Sequence, residues 1–195
     1  KQRFDVLTGI QGNRVLVVLG RFPESDEDDS ATKSFSDVAL ELESGFGPGT
    51  LVIGPEVSSI SLGHISAKSA LSAFAITKTL SKKTRLIHSD DLLAERALAG
   101  DSLAKAALIE RLYRPLAKNS PELFQTLLTY LENGRSLETT AREMFVHPNT
   151  VRYRLKRIAE LLDCDPTGAR EAFILQVAVT LGTMAAGPKA KGKLN

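Results

Sequence analysis

The chain has 195 residues, of which 43% are hydrophobic, a formal net charge of +2 and one cysteine, Cys164. That length and apolar content suit one large or two small soluble domains, and a lone cysteine excludes an intrachain disulfide framework while fitting a reducing, cytoplasmic setting. No stretch is long and apolar enough to span a bilayer and none reads as a signal peptide, so no membrane partner is expected.

In chain order, Phe4 to Ile10 and Arg14 to Leu19 are apolar, β-branched runs separated by Gln11-Gly12-Asn13, a hairpin signal. Pro23 to Ser30 gathers Glu24, Asp26, Glu27, Asp28 and Asp29 with no fixed ligand spacing. It reads as solvated chain rather than a metal site. Phe35 to Leu42 reads as a helix with Phe35, Val38, Ala39 and Leu42 on one face. Gly45-Phe46-Gly47-Pro48-Gly49 follows that helix and leads into a strand. A phosphate-cradling loop has the opposite context, so this run reads as a helix stop and turn.

Leu51 to Ile53 is a short buried strand, and residues 64 to 80 form a helix whose Ile65, Ala73, Ile76 and Leu80 face a sheet. His64, at its start, reads as structural. Thr84 to Ile87 is a last strand, at an edge. Asp90-Asp91 opens a helical stretch to Gly100, continued by Ser102 to Leu112, in which Leu103, Ala107, Leu108 and Leu112 suit either local packing or a subunit contact.

The C-terminal part carries the strongest signal. Pro121 to Glu132 is a helix with Leu123, Phe124, Leu127, Leu128 and Leu131 facing a core. Asn133-Gly134 stops it. Ser136 caps the next helix and Glu138 lies in its first turn, with Leu137, Ala141 and Met144 as a short buried stripe. Phe145-Val146-His147 is a turn without glycine. Pro148 suits the first helical position, which makes His147 the N-cap. At about 100° per residue, Val151, Leu155, Ile158 and Leu162 form one narrow apolar stripe. Asn149, Tyr153, Lys156 and Arg157 fall on the far side, flanked by Thr150 and Arg152. Arg154 lies nearer the buried edge, within reach of a phosphate or an acidic neighbour.

Between His147 and Ile158 there are four basic residues and no acid. Like charges this dense weaken an isolated helix, so something negative should face them. A phosphate backbone fits, and the N–H groups of Asn149 and Thr150 at the helix end are expected to be open to a phosphate. Two helices joined by so short a turn fit a helix-turn-helix with the second as reader. The expected DNA-binding residues are His147, Asn149, Thr150, Arg152, Tyr153, Arg154, Lys156 and Arg157. Of these, Asn149, Arg152 and Tyr153 should face base edges, His147 and Thr150 the backbone, and Lys156, Arg157 and Arg154 phosphates.

Leu127-Leu128-x-Tyr130-Leu131-Glu132-Asn133-Gly134, followed by Ala141-Arg142-x-Met144-Phe145-Val146-His147-Pro148-Asn149-Thr150-Val151-Arg152-Tyr153-Arg154-Leu155-Lys156-Arg157-Ile158, closely resembles the C-terminal helix-turn-helix of the PucR/CdaR family of bacterial transcription regulators. The resemblance covers about the last seventy residues and implies binding of double-stranded operator DNA as a dimer or higher oligomer. The N-terminal part resembles the family's middle domain, a degenerate relative of diguanylate cyclase domains. The Gly-Gly-Asp/Glu-Glu-Phe signature of active cyclases is absent, so no catalytic residue is carried over. Relative to the family, the first strand and helix of that domain are missing, and the chain is expected to be a fragment of a longer protein.

The expected fold is α+β. A small, mainly antiparallel α/β sandwich (1–89) precedes a helical linker (90–118), a helix-turn-helix domain (119–185) and a disordered basic tail (186–195) with Lys189, Lys191 and Lys193. Ala169 to Met184 is the closing helix, with Phe173, Val177, Thr180, Leu181 and Met184 on one side. Cys164 reads as a small core residue. The histidines His64, His88 and His147 are scattered and no metal-ligand spacing occurs, so no enzyme, cofactor or metal is expected. The partners implied are operator DNA, a second copy of the chain (dimer or tetramer) and a small-molecule effector that no residue identifies. The rival reading is a metabolite-binding or protein-interaction module whose basic helix meets an acidic protein.

Overall fold

Gly12 adopts a left-handed backbone (φ +61°), as a tight hairpin turn requires and as glycine does without a Cβ clash. It joins Phe4–Gln11 (β1) to Arg14–Arg21 (β2) in an antiparallel ladder from Phe4↔Arg21 to Gln11↔Arg14. The computed structural model describes residues 4–21, 34–45, 49–80 and 84–187. The acidic loop at 23–30, the centre of the glycine-rich turn (46–48) and the lysines of the tail lie outside the described residues.

Phe35–Gly45 (α1) buries Ala39 and half-buries Phe35, Val38 and Leu42, following its apolar periodicity. The Phe35 ring meets Phe4 at 5.9 Å between centroids and lies under the Arg21 guanidinium at 4.5 Å. Leu51–Ile53 (β3) pairs with Leu86–His88 (β4), with Leu51 opposite Leu86. Gly63–Thr77 (α2) packs on this pair, and Ala73, Ile87 and Leu92 are buried together with Val52, Ile76 and Leu80 around them. At Gly54 a Cβ would fall 2.3 Å from the Ser66 carbonyl oxygen, so glycine lets the chain pass close to α2.

Antiparallel pairing predominates, yet two sheets replace the one expected. The hairpin and the β3–β4 pair share no ladder, and β3–β4 is parallel. The reason is the connection: the chain crosses through α2 between the two strands, which returns it in the same direction. Among the described residues nothing covers Val6, Leu7, Ile10 and Val15, which are exposed.

From Ser89 to Ala186 the elements are all helical. A short turn at Ser89–Leu92 leads into Leu93–Leu98 (α3) and Ser102–Leu108 (α4). A π-helical turn at Ile109–Tyr113 then runs into Arg114–Asn119 (α5). Asp101 caps α4 by accepting from the Leu103 and Ala104 N–H groups at 2.9 and 3.3 Å. Arg96 is 1% exposed. It donates to Asp101 Oδ2 (3.0 Å), the Ser89 carbonyl (3.1 Å) and Ser69 Oγ (2.9 Å), which ties α2 to α3 and α4. Burial works against the Asp101 charge. Hydrogen bonds from Ser72, Arg96 and the Ala104 N–H, with the Arg96 charge, more than offset this and hold the carboxyl below the usual range.

Leu108 packs locally, with Ala94, Ala97 and Ala104, against Val177 and Ala178 of Ala169–Ala186 (α9). The other side of α9 gives Leu175 and Val179 to a second, larger cluster. This corrects the expected stripe on the closing helix. Val177 is buried, but Phe173, Thr180 and Met184 are exposed. A helix held between two clusters buries two sides and has no single apolar stripe to read. Gly182 makes the closest approach, since a Cβ there would lie 2.1 Å from Cγ of Tyr113. The Tyr113 ring in turn meets Phe124 edge-on at 5.5 Å.

Candidate nucleic-acid interface

Three helices build the candidate site: Pro121–Glu132 (α6), Leu137–Glu143 (α7) and Pro148–Leu162 (α8). Leu127 and Tyr130 of α6, Ala141 of α7 and all four predicted stripe residues of α8 (Val151, Leu155, Ile158 and Leu162) are buried together with Leu116, Leu175 and Val179. Each fully buried aliphatic side chain stabilises by about 1.5–3 kcal/mol, so the buried face of α8 fixes which face is left outside.

The local signals explain the joints. Gly134 and Arg135 take positive φ (60° and 65°) where α6 stops, and the Arg135 N–H donates to the Tyr130 carbonyl at 2.9 Å. Ser136 Oγ accepts from the Thr139 N–H at 3.2 Å and starts α7. At the end of α7, Phe145 takes φ +54° and the Val146 N–H reaches back to the Ala141 carbonyl at 2.9 Å. That is a left-handed helix stop of the Schellman type. Val146 packs against the core, whereas Phe145 is 95% exposed.

His147 is the N-cap of α8. Its backbone is extended, and Nδ1 accepts from the Asn149 N–H at 3.2 Å. The Thr150 N–H donates to the His147 carbonyl at 2.9 Å. These two N–H groups are therefore satisfied within the chain, which corrects the expectation that they stand open to a phosphate. A histidine at the cap brings its own acceptor nitrogen within reach of the N–H two residues on.

On the outer face, His147, Asn149, Arg152, Tyr153, Lys156 and Arg157 are exposed and Thr150 is half-buried. Arg152 Nη1 donates to Asn149 Oδ1 at 2.5 Å, one helical turn away. This bond engages one acceptor site of the exposed Asn149 oxygen, and the pair still has the Asn149 NH₂ and the remaining N–H groups of Arg152 to donate. Tyr153 is 64% exposed. Neither Tyr153 nor Lys156 makes a side-chain hydrogen bond or ion pair among the described residues. Arg157 bridges Glu160 at 2.9 Å with both groups about half exposed. Such a pair contributes little and exchanges readily for another anion. Of the two partners open to Arg154, the structure supplies the acidic one. The guanidinium is 15% exposed, bonded to Glu122 of α6 and 3.3 Å from Thr126 Oγ1.

Two exposed residues beside this face escaped the sequence argument, Arg142 at the end of α7 and Phe145 in the turn. The absence of glycine from the turn was the available signal for Phe145. Behind the site, Cys164 is half-buried against the same core. Burial, then the carboxylates of Glu171, Asp165 and Asp163, push its thiol up to about 11. No group of three or more metal-ligating side chains occurs among the described residues, and no helix there is long and apolar enough to cross a membrane.

The PucR C-terminal helix-turn-helix domain family matches residues 123–181. A Mycobacterium tuberculosis protein is 42% identical over 144 residues, 74% of this chain and 35% of its own length. The carbohydrate diacid regulator of Escherichia coli is 30% identical over 121 residues, 60% of this chain and 31% of its own. The chain thus spans about a third of the length of each of these two curated relatives. Among solved structures, a regulator of polyketide synthase expression from Bifidobacterium adolescentis superposes with a TM-score of 0.77 at 32% identity, over 93% of this chain and 69% of that one.

Proposed function

The chain belongs to the PucR/CdaR-type family of transcription regulators, and from that premise we propose that it binds duplex operator DNA with α8 lying in the major groove. The observation that carries the reading is the outer face of α8. It is basic and aromatic, free of acid up to Glu160, with Tyr153 and Lys156 unengaged and Asn149 and Arg152 already paired.

Asn149 and Arg152 both have N–H groups left to donate, which suits the O6 and N7 acceptors of guanine. Tyr153 lies beside them toward base edges. Thr150 and His147 sit at the helix end near the backbone, and Lys156 and Arg157 hold phosphates. Arg154 stays with Glu122 of α6. One reading helix makes few contacts, so two chains act together on half-sites about one helical turn, or a multiple of it, apart. Residues 1–89 pair or orient the subunits and the helices of 90–118 join them to the helix-turn-helix of 119–185. Chemistry of its own is not assigned to this chain.

A mobility-shift titration with DNA from upstream of the chain's own and neighbouring genes tests this. Retarded fragments competed out by themselves but not by unrelated DNA are the expected result. A folded chain that shifts no fragment but captures an acidic protein would move the reading to an interaction module.

A further inference from the structure

Phe145 occupies the position where α7 stops in a left-handed backbone, φ +54°. Glycine is the residue that suits this position, because a Cβ is strained there. Among the described residues, three other than glycine take positive φ: Arg135, Phe145 and Asp163. Of these, Phe145 alone has a large apolar side chain, and it is 95% exposed. Its ring therefore contributes no burial to offset the strain. The neighbouring Val146 supplies the apolar contact that anchors such a turn, packing against the core with its N–H on Ala141. The apolar anchor of the turn is Val146; Phe145 contributes its backbone, with its N–H on the Arg142 carbonyl at 3.2 Å, while its ring packs on nothing that would bury it.

Its position says what the ring serves. Phe145 stands two residues before the His147 cap, at the N-terminal end of α8, the end that carries the Asn149–Arg152 pair. The exposed polar residues nearest it in the chain toward and into α8 are His147, Asn149 and Arg152, with Arg142 exposed before it, and this run suits a duplex better than an apolar protein surface. We infer that Phe145 is a further DNA-contacting residue, which lays its ring on apolar atoms of the duplex at the edge of the groove that α8 reads. Those atoms are a thymine 5-methyl, the apolar group on a major-groove base edge, or an adjoining deoxyribose. The inference rests on the proposed DNA-binding reading.

The test uses Phe145→Gly and Phe145→Asn, both suited to a left-handed backbone, measured for thermal stability and for affinity to a duplex that the unaltered chain binds. Both variants melt at the same temperature as the unaltered chain or higher, and both bind about tenfold more weakly. Repeating the titration with deoxyuridine in place of thymine separates the two sources. If the methyl is the contact, the unaltered chain loses affinity on the uracil duplex and Phe145→Gly does not. If the sugar is the contact, both are indifferent to uracil while the variant remains weak. Binding by the variants equal to that of the unaltered chain overturns the inference, as does a change confined to oligomeric state. Should the unaltered chain bind while Arg152→Ala weakens it and Phe145→Gly does not, this inference fails and the proposed function stands. If no duplex is bound at all, both fail.

Discussion

Arg154 of α8 donates to Glu122 at the opening of α6, 32 residues earlier in the chain. Arg154 is nearly covered and Glu122 is open to solvent, so the pair contributes about 1 kcal/mol or less to stability. It joins α8 to α6 at the edge of the core that already holds the two helices together. Arg154→Leu is expected to lower stability by that modest amount and to leave the slope of log affinity against log salt unchanged. Urea unfolding and a salt titration of DNA binding measure both. A slope reduced by about 0.9 would place Arg154 on a phosphate instead.

Lys156 and Arg152 should separate. Lys156→Ala weakens binding to all sequences alike and flattens the salt slope by about 0.9. Arg152→Ala loses about 1–3 kcal/mol of discrimination at one base position. Because Arg152 is held by Asn149, Asn149→Ala and Arg152→Ala should be non-additive, and the double variant little worse than Arg152→Ala alone. Anisotropy titrations on matched and single-mismatch duplexes supply the numbers. Identical behaviour of the Lys156 and Arg152 variants contradicts this division of roles.

Gly182 is required by the Tyr113 ring. A Cβ would overlap ring carbons at 2.1–2.4 Å, so Gly182→Ala is expected to destabilise by about 1–3 kcal/mol despite the better helix propensity of alanine. Adding Tyr113→Leu should restore part of the loss, because the clash is with the ring. Denaturant midpoints of the two single variants and the double variant decide it.

The ion pairs Arg96–Asp101 and Arg170–Glu95 contribute to the acid sensitivity of the fold. Asp101 is held below the ordinary carboxylate range in the folded chain. Glu95 behaves likewise: burial opposes its charge, but the hydrogen bond and charge of Arg170 prevail. A depressed folded value means stability that is present above the unfolded value, about 3.9–4.3, and lost as pH falls through the folded value. Arg96→Met should therefore cost about 3–5 kcal/mol near neutrality by leaving Asp101 without its guanidinium. Its stability should also fall less steeply than that of the unaltered chain below about pH 4. Unfolding free energies measured from pH 7 down to 3 test the sign.

Cys164 should be inert. With its thiol pushed up to about 11, the thiolate is scarce near neutrality. Alkylation of the native chain at pH 8 is expected to be far slower than in urea. The same shift contributes stability that is complete below the ordinary thiol value, about 8.5, and fades as pH rises toward 11. Equal alkylation rates in native and unfolded chain would contradict the burial that causes the shift.

The C-terminal half was legible because its signals are local. Ser136, Pro148 and the spacing of Val151, Leu155, Ile158 and Leu162 each act within a turn or two of helix, and the structure follows them. What escaped depends on residues distant in sequence. The side of α9 that packs is decided by Tyr113 and by two separate clusters. The engagement of Arg154 is decided by Glu122. The parallel pairing of β3 with β4 follows from where α2 returns the chain. At the candidate site, the outer face could be read off a helical wheel. The Asn149–Arg152 bond and the His147 acceptor depend on rotamers, which periodicity does not carry.

The most direct measurement is methylation interference on the retarded operator fragment. Guanine N7 lies in the major groove and adenine N3 in the minor groove. With α8 in the major groove and a donor pair at its tip, methylated guanine N7 should block binding at one or two positions in each half-site, spaced about one helical turn or a multiple of it apart. Interference from adenine N3 alone, with guanine N7 methylation harmless throughout, would contradict the account.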